Sequence, residues 1–429
     1  MKINMCMKKK FRICLVLLST TMLFSACAKY SSPSSLLKPP EISKEQIKAD
    51  IKENTESDFK SYGAEVDYKK AVEKIFLSHN AKLLSPDKIV SKKSVYNMDL
   101  DGDNIDEVFG FFETDEDFKI YFFILKKENN RWDSILTEEI NRTSISFIDT
   151  AKVYNKDQIS LIIGKLVSDY AGSEYTMYTL KNVSGVLHSM DIGMWNKFEI
   201  LSDFSHENNK GFVFGAWYRE RSDLYSVNVI GHDANRIMFV PKEDLYSDYF
   251  NDVIEYNNKI LDINDKAQLA WYHLIDAEIK AGESEDALKS IDKVLKIKKD
   301  GNPVLEVEDY KFDLLRVKAL NKLQRYDEAE DIILNLSHTL SEVVSNNKSV
   351  EYQDYINMET GLDLADVYFQ LGKTYLGKDK KIEAKQAFEK SHDIIKELSK
   401  ISFLKENPVA EIKKHLIYYP VMDELNNLQ

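Results

Sequence analysis

The chain has 429 residues, of which 43% are hydrophobic, so it can bury at least two cores and we expect more than one domain. Asp and Glu (71) outnumber Lys and Arg (58), and the formal net charge is −13. Proteins that bind DNA or RNA need basic surfaces, so this acidic balance argues against a nucleic-acid partner. Glycine (15) and proline (8) are scarce whereas Tyr (23) and Phe (21) are common, which argues against a disordered or collagen-like chain.

The N-terminal segment has the pattern of an export signal. Basic residues 8–10 precede an apolar run that is shorter than the roughly 20 residues of a membrane-spanning helix. The small residues Ser25 and Ala26 stand directly before Cys27. This arrangement resembles the lipobox of bacterial lipoproteins, which implies that residues 1–26 are a signal peptide and that Cys27 carries lipid. The resemblance also implies an extracytoplasmic protein anchored to the cell membrane. The alternative is an ordinary signal peptide, or a buried N-terminal helix, with an incidental cysteine.

The next segment has the composition of a linker. Residues 27–41 are rich in Ser and Pro and show no sustained hydrophobic period, which predicts a flexible tether. Two stretches with helical periodicity follow, at about 43–60 and 66–80. We expect them to lead into a β-rich domain, so that the lead-in and this domain together span residues 42–243.

The β-rich domain is predicted from short apolar runs that are separated by turn residues. Asn129 and Asn130 have the composition of a hairpin turn. No long helical pattern interrupts the runs, which favours an antiparallel sheet or sandwich over an alternating parallel α/β fold. The expected strands are 108–112, 118–125, 145–148, 159–166, 175–180, 198–201, 211–218, 224–230 and 236–240.

An acidic loop at residues 99–107 (DLDGDNIDE) carries the most specific chemical pattern of the chain. Ca²⁺ prefers six to eight oxygen ligands, and acidic residues at alternate positions of a tight loop can direct their carboxylates at one centre. Gly102 and Asn104 tolerate the left-handed backbone that such a turn needs. The expected ligands are the side chains of Asp99, Asp101, Asp103 and Glu107 and the backbone carbonyl of Ile105.

The acidic loop resembles the calcium loops of FG-GAP and VCBS type repeats, in which the loop joins two strands. The resemblance implies a structural Ca²⁺ ion within the β-rich domain. Asn104 stands where glycine is usual in that family, and a single copy of the motif does not favour a closed propeller. The alternative is an acidic turn that is solvated by water and holds no metal.

Residues 244–429 have a helical period throughout, and three segments within them repeat. The segments share an apolar first helix, which carries aromatic residues in the first and third segments, and an alanine at the start of the second helix, at Ala287, Ala329 and Ala384. In the third segment Gly372 stands at the small-residue position. The pattern resembles tetratricopeptide repeats, although the alanines are further apart than the family's period of about 34 residues. We therefore expect a degenerate TPR-like array, with an unrelated helical bundle as the alternative.

The fold expected for the whole chain is therefore α+β and multidomain, with an antiparallel β-rich domain followed by an all-α repeat domain. In such an array the inner face of the first helices binds a protein or peptide. The resemblance places six residues on that face, and its lysines would favour an acidic segment. The six residues are Tyr272, Lys318, Asn321, Lys322, Phe369 and Lys373.

The sequence points to a scaffold more than to an enzyme. It has no His-Glu-x-x-His, Gly-x-Ser-x-Gly or Walker-type motif, and its eight histidines show no metal-ligand spacing. We expect a cell-envelope protein that is attached to the membrane by its lipid and that binds an unidentified protein or peptide through its repeats. Two alternatives remain open, an envelope hydrolase and a solute-binding lipoprotein, each with a pocket in the β-rich domain. For the array itself, the alternative is a spacer or dimerisation module.

Overall fold

A β-rich region and a helical region follow each other along the chain. The last strand ends at Pro241 and the first helix of the second region begins at Tyr249, which confirms the expected α+β organisation. The expected signal peptide, Cys27, the tether and the first lead-in helix lie outside the described residues. The computed structural model describes residues 68, 70–74, 81–114, 119–154, 158–180, 187–202, 212–233, 238–242, 247–300, 306–346, 353–400 and 408–428.

The strands form three antiparallel sheets in chain order, which we call sheet 1, sheet 2 and sheet 3. Sheet 1 contains five strands: β1 Ala81–Leu83, β2 Val95–Met98, β3 Glu107–Thr114, β4 Ile120–Glu128 and β5 Arg131–Ile140. Sheet 2 contains β6 Ile145–Ala151, β7 Ser160–Ser168, β8 Gly172–Leu180 and β9 Leu187–Trp195. Sheet 3 contains β10 Lys197–Ser202, β11 Val213–Arg221, β12 Leu224–Asp233 and β13 Met238–Pro241.

The turn between β4 and β5 confirms the predicted hairpin. Asn129 and Asn130 have φ angles of 49° and 64°, and Glu128 pairs with Arg131 across them. Positive φ at both central residues is the type I′ geometry that suits the twist of a two-residue hairpin. The strand that follows, β5, has no counterpart among the predicted runs, and neither does β9. Both lie at the edge of a sheet and carry many exposed polar side chains, so an apolar run does not mark them.

The three sheets pack face to face. Phe109 and Phe122 of sheet 1 share a core with Leu161 of sheet 2, and on the opposite face of sheet 2 Ile162 shares a second core with Phe214 of sheet 3. Successive side chains of a strand point to opposite faces, so a strand in the middle of the stack buries both. This explains why β7 is a nearly continuous apolar run, and β3 of sheet 1 is one too because its second face packs in the cluster that contains Val72.

Helical residues cover both outer faces of the stack. On sheet 1, Val72 of the helical segment 70–74 packs in a cluster with Phe112 and Phe123. On sheet 3, the Trp217 indole donates a hydrogen bond to the Tyr249 hydroxyl at 2.6 Å. Sheet 2 therefore lies between sheets 1 and 3, and helical residues contact the outer faces of both.

Eight helices occupy the described residues after 247. They are α1 Tyr249–Ile263, α2 Gln268–Ala281, α3 Ser284–Asp300, α4 Asp309–Lys322, α5 Tyr326–Asn346, α6 Gln353–Gly377, α7 Lys381–Leu398 and α8 Pro408–Asn427. Each helix contacts the next, and α4 also contacts both α2 and α6, so that α2, α4 and α6 form one row. Among the described residues, no helix combines the length and the apolar character that crossing a membrane requires.

Small residues lie where these helices cross. The three repeat-like alanines, Ala287, Ala329 and Ala384, are fully buried. A Cβ atom added to Gly372 of α6 would lie 2.4 Å from the ring of Phe388 on α7. Since two atoms cannot approach so closely, the helices require glycine at this position. The packing is compatible with the predicted repeat pattern.

The helical array is joined to sheet 3 at both of its described ends. Leu224 of β12 is part of the main helical core. The Lys280 ammonium of α2 donates to the Val227 carbonyl at 2.8 Å, and the Tyr256 hydroxyl of α1 donates to the Asp223 carbonyl at 2.7 Å. At the other end, α8 contacts β13. The array therefore curves back to the sheet from which it starts.

Candidate functional site

The acidic loop joins β2 to β3, two neighbouring antiparallel strands, as its resemblance implied. The Asp99 carboxylate accepts backbone N–H bonds from Gly102 at 2.7 Å, Asp103 at 3.1 Å and Asn104 at 2.9 Å. One carboxylate thus supplies the acceptors for three amides of the turn. Gly102 and Asn104 have φ angles of 80° and 65°, which confirms their predicted left-handed backbone.

The remaining aspartates of the loop also accept backbone amides. Asp101 Oδ1 accepts the N–H of Asp103 at 3.2 Å, and Asp103 Oδ1 accepts the N–H of Ile105 at 2.8 Å. The Asp101 side chain is fully buried whereas the Ile105 side chain is 46% exposed. The loop therefore directs carboxylates inward and leaves its apolar side chain in solvent.

Glu107 begins β3 and is fully buried. Its Oε2 atom accepts the N–H of Leu100 at 2.8 Å, whereas its Oε1 atom has no hydrogen-bond partner. Burial raises the pKa of Glu107 to about 7; the N–H of Leu100 and the Lys126 ammonium oppose this rise, and the negative charge of Asp101 adds to it. A buried carboxylate oxygen without a donor is costly, so Glu107 is suited to a cation.

Lys126 of β4 reaches the same place from the neighbouring strand. Val108 pairs with Leu125, so Lys126 stands opposite Glu107 and both side chains leave the sheet on one face. The Lys126 ammonium contacts Asp101 Oδ2 directly and lies 3.1 Å from Asp103 Oδ2 and 3.5 Å from Glu107 Oε1. Burial alone would lower the pKa of Lys126, but Asp101 and Asp103 raise it above its ordinary value. The lysine therefore stays charged within the loop.

The acidic loop offers the donor set of a hard cation. Carboxylate oxygens of Asp99, Asp101 and Glu107 lie within 4.8 Å of one another and could hold a metal ion. All are oxygen donors, which suits Ca²⁺ or Mg²⁺ better than a thiophilic metal. Two other residues were predicted as ligands. The carboxylate of Asp103 forms an ion pair with Lys126, which also contacts Asp101, and the backbone N–H of Ile105 donates a hydrogen bond to Asp103.

A row of paired charges, which we call the charge ladder, crosses the helical array on α2, α4, α6 and α8. The Lys318 ammonium lies 2.7 Å from Asp366 Oδ2 on the neighbouring α6, and the Lys280 ammonium lies 2.8 Å from Asp276 Oδ2. Burial alone would raise the pKa of Asp276, but Lys280 and Lys318 hold it below its ordinary value. The members of the ladder are Lys280, Asp276, Lys318, Asp366, Asp363 and Lys413.

Because of the charge ladder, the predicted groove is not a basic surface. The predicted groove has Lys318 available to an acidic partner segment, but only 26% of its side chain is exposed and its charge is neutralised by Asp366. Burial raises the pKa of Tyr272 well above its usual range, and the charges of Asp276 and Asp363 add to this. Carboxylates therefore accompany the lysine on this face, which is mixed in charge.

The other predicted groove residues are distributed along α4 and α6. Asn321 is buried and donates to the Gln370 carbonyl at 3.2 Å, so it joins the two helices. The Lys373 ammonium lies 5.5 Å from the centre of the Phe369 ring. Lys322, at the end of α4, is exposed. Asn321 is thus part of the packing between helices, while Lys322 marks the accessible end of the face.

Asp363 is a centre that the sequence did not single out. Its carboxylate accepts a hydrogen bond from the Tyr310 hydroxyl at 2.8 Å and lies 2.5 Å from the Lys413 ammonium and 4.0 Å from that of Lys311. Burial would raise the pKa of Asp363, but Lys413 and Lys311 hold it below its ordinary value. The residues come from α4, α6 and α8, so only knowledge of which helices are neighbours reveals this cluster.

An open groove of about 560 Å³, which we call the helical groove, runs over α5, α6 and α7. Leu334 is 43% exposed in it, and the Lys390 ammonium lies 4.3 Å from the centre of the Tyr368 ring. The groove presents an exposed apolar side chain beside charged ones, with the largely buried Tyr368 at its base. The helical groove is lined by Leu334, Ser337, His338, Ser341, Glu342, Tyr368 and Lys390.

Comparison with known proteins does not assign the chain to a family. No family model matches the sequence, and no curated protein matches it. The case for a function therefore depends on the chain's own residues and their geometry.

Proposed function

We propose that the protein is a lipid-anchored cell-envelope protein whose helical array binds a partner protein or peptide. The observation that carries the binding proposal is the helical groove, where an exposed leucine lies beside an aromatic ring and a lysine. Helical arrays offer extended grooves of this kind to segments of other proteins. The groove is open, as docking of a peptide requires, whereas much of the predicted inner face is filled by the charge ladder.

Leu334, 43% exposed, supplies apolar surface to a partner, the largely buried Tyr368 forms the base of the groove beside it, and Lys390 supplies a charge that orients the partner. Ser337 and Ser341 line the same space; their hydroxyls donate to the carbonyls of Leu334 and Ser337 within α5, which leaves their oxygens to accept an N–H from a partner. We therefore propose a partner segment that places an apolar side chain against Leu334 and a carboxylate near Lys390.

A photo-crosslinking amino acid at position 334 tests this binding in cells. We expect it to join the protein to a discrete partner, because the side chain lies within the proposed contact. The same amino acid at Ile263, an exposed residue at the end of α1, is the matched control. Equal crosslinking from both positions, or none from position 334, would contradict binding in the helical groove.

The lipid anchor is proposed from the sequence Ser25-Ala26-Cys27. Two acyl chains on one residue provide stable membrane attachment, whereas a single chain attaches only weakly. We expect Cys27→Ser to move the protein from the membrane fraction to the soluble fraction and to abolish labelling by a fatty-acid analogue. Undiminished labelling of the variant would show that Cys27 is not the lipidated residue.

We also propose that the acidic loop binds Ca²⁺ as a structural ion, with Asp99, Asp101 and Glu107 as the ligands that already lie together. Asp103 and the carbonyl of Ile105 complete the predicted set. The ion would neutralise the negative charge that the single ammonium of Lys126 leaves in this carboxylate cluster. The orphaned Glu107 Oε1 atom supports the proposal, because a buried carboxylate oxygen normally has a donor or a metal.

A further inference from the structure

We infer that Lys126 is a built-in competitor for the cation of the acidic loop, and that it restricts Ca²⁺ binding to the weak range, with a dissociation constant of about 10⁻⁴ to 10⁻³ M. This inference rests on the proposed Ca²⁺ site and specifies how that site is regulated. The ammonium of Lys126 lies among the carboxylates of Asp101, Asp103 and Glu107.

The position of Lys126 follows from the register of sheet 1. Because Val108 opposes Leu125, the side chain of Lys126 must leave the sheet on the Glu107 face. The next residue, Lys127, points to the other face, where its ammonium lies 5.6 Å from the centre of the Trp132 ring. Two adjacent lysines therefore have different surroundings, and only one of them enters the acidic loop.

An ammonium is an incomplete substitute for Ca²⁺ at this position. It carries one positive charge and three donors, whereas the carboxylates of Asp101, Asp103 and Glu107 surround it and that of Asp99 lies within 4.8 Å of those of Asp101 and Glu107. Its distance to Glu107 Oε1, 3.5 Å, is too long for a good hydrogen bond, and that oxygen remains without a donor. The loop thus keeps an excess of negative charge that a divalent ion would neutralise more completely.

A tethered competitor weakens binding in a predictable way. Ca²⁺ and the Lys126 ammonium repel each other, so the ion binds only when the lysine withdraws along its flexible stem. The lysine is part of the same chain and cannot diffuse away, so each binding event includes the free energy of its displacement. The loop has enough carboxylates for high Ca²⁺ affinity, but with Lys126 in place it would bind the ion only at high Ca²⁺ concentrations.

The test is Ca²⁺ titration of the full-length chain by calorimetry, together with the shift in melting temperature that Ca²⁺ causes. We expect Lys126→Met to tighten Ca²⁺ binding by at least about tenfold, because the repulsion is removed. Lys127→Met, the same chemical change on the opposite face, and Lys126→Arg, which keeps the charge, should both bind like the wild type. Lys126→Met combined with Asp101→Asn should lose the gain.

The outcomes separate the inference from the proposal beneath it. Equal Ca²⁺ affinity in the wild type and Lys126→Met would leave the Ca²⁺ site intact and overturn the competition. Binding in none of the variants would overturn both the site and the competition. If Lys126→Met does not fold without Ca²⁺, Lys126→Gln replaces it, and a Gln variant with wild-type affinity would likewise overturn the inference.

Discussion

The acidic loop and the charge ladder are two clusters of buried charge, and they differ in how completely their charges are neutralised. In the acidic loop, carboxylates surround the Lys126 ammonium, and Glu107 keeps an oxygen without a donor. In the charge ladder, Asp363 and Asp366 each lie within ion-pair distance of a lysine. Buried charges that are not neutralised are costly, and proteins usually retain them where a ligand or ion completes the cluster. The difference supports the proposed cation site in the loop, whereas in the helices the charges form a network of ion pairs.

The direction of the pKa shifts follows the same division. The pKa of Glu107 is raised because burial and neighbouring carboxylates disfavour its charge, whereas Lys413 and Lys311 hold that of Asp363 down despite its burial. A carboxylate with a lowered pKa has its ionised form stabilised by the fold. Substitution should therefore affect the two clusters differently.

The largest effect is expected for Asp363→Asn in the charge ladder. The change leaves Lys413 and Lys311 without a carboxylate that both approach, and breaking a buried ion pair is strongly destabilising. Part of the cost is recovered because Lys413 is about one-third exposed and can return to solvent. We expect the free energy of unfolding to fall by about 2 kcal/mol, measured by urea denaturation with circular dichroism.

The matched change in the acidic loop is Asp101→Asn, measured without Ca²⁺. The loop has more carboxylates than positive charges, and after the change Lys126 still pairs with Asp103 and Glu107. The free energy of unfolding should therefore fall clearly less than for Asp363→Asn. The asparagine oxygen can still accept the amide of Asp103. A loss as large as that of Asp363→Asn would show that the loop is a balanced network too, and the comparison between the clusters would fail.

The acidic loop could be predicted from the sequence, but the position of Lys126 within it could not. The acidic residues are contiguous, so their spacing alone predicts the turn and the left-handed backbone at Gly102 and Asn104, both of which the structure has. Lys126 enters the loop only because β4 pairs with β3 in one register. A shift by one residue would bring Lys127 to that face instead. Sequence patterns do not determine register to that accuracy, so the competitor could not be predicted.

The helical region shows the same limit. Ala287, Ala329, Ala384 and Gly372 stand at crossings where only small residues fit, and such positions leave a local pattern in the sequence. The ion pair of Lys318 leaves no such pattern, because its partner Asp366 lies on another helix at no fixed separation along the chain. The sequence therefore places Lys318 on a face for an acidic partner, whereas in the structure it is paired with Asp366. Helix packing is visible in the sequence, but charge pairing between helices requires the tertiary arrangement.

Glu278 of α2 is a third kind of buried carboxylate, because no lysine among the described residues forms an ion pair with it. The Ser290 hydroxyl donates to its Oε1 atom at 3.0 Å, and its Oε2 atom has no hydrogen-bond partner. Burial raises the pKa of Glu278 to about 7, the hydroxyl of Ser290 opposes the rise, and the charge of Asp286 adds to it. Glu278 thus resembles Glu107 in its pKa, although no acidic loop surrounds it.

The smallest of the expected effects is the pH dependence that Glu278 contributes. The unfolded chain releases this proton near the ordinary value of 4.5, whereas the folded protein retains it to about 7. Between these values the folded state binds more protons than the unfolded state, so the stability from this group is present at pH 4.5 and is lost as the pH rises through 7. Since Glu278 can relax towards solvent, we expect Glu278→Gln to remove about 1 kcal/mol of this variation between pH 5 and 8.

Urea denaturation at several pH values compares this variant with Glu389→Gln, an exposed change on α7 that should leave the pH profile of the wild type unaltered. A Glu278→Gln profile parallel to the wild type would mean that Glu278 is already ionised at neutral pH, and that a buried carboxylate in this array does not need a lysine to keep its charge.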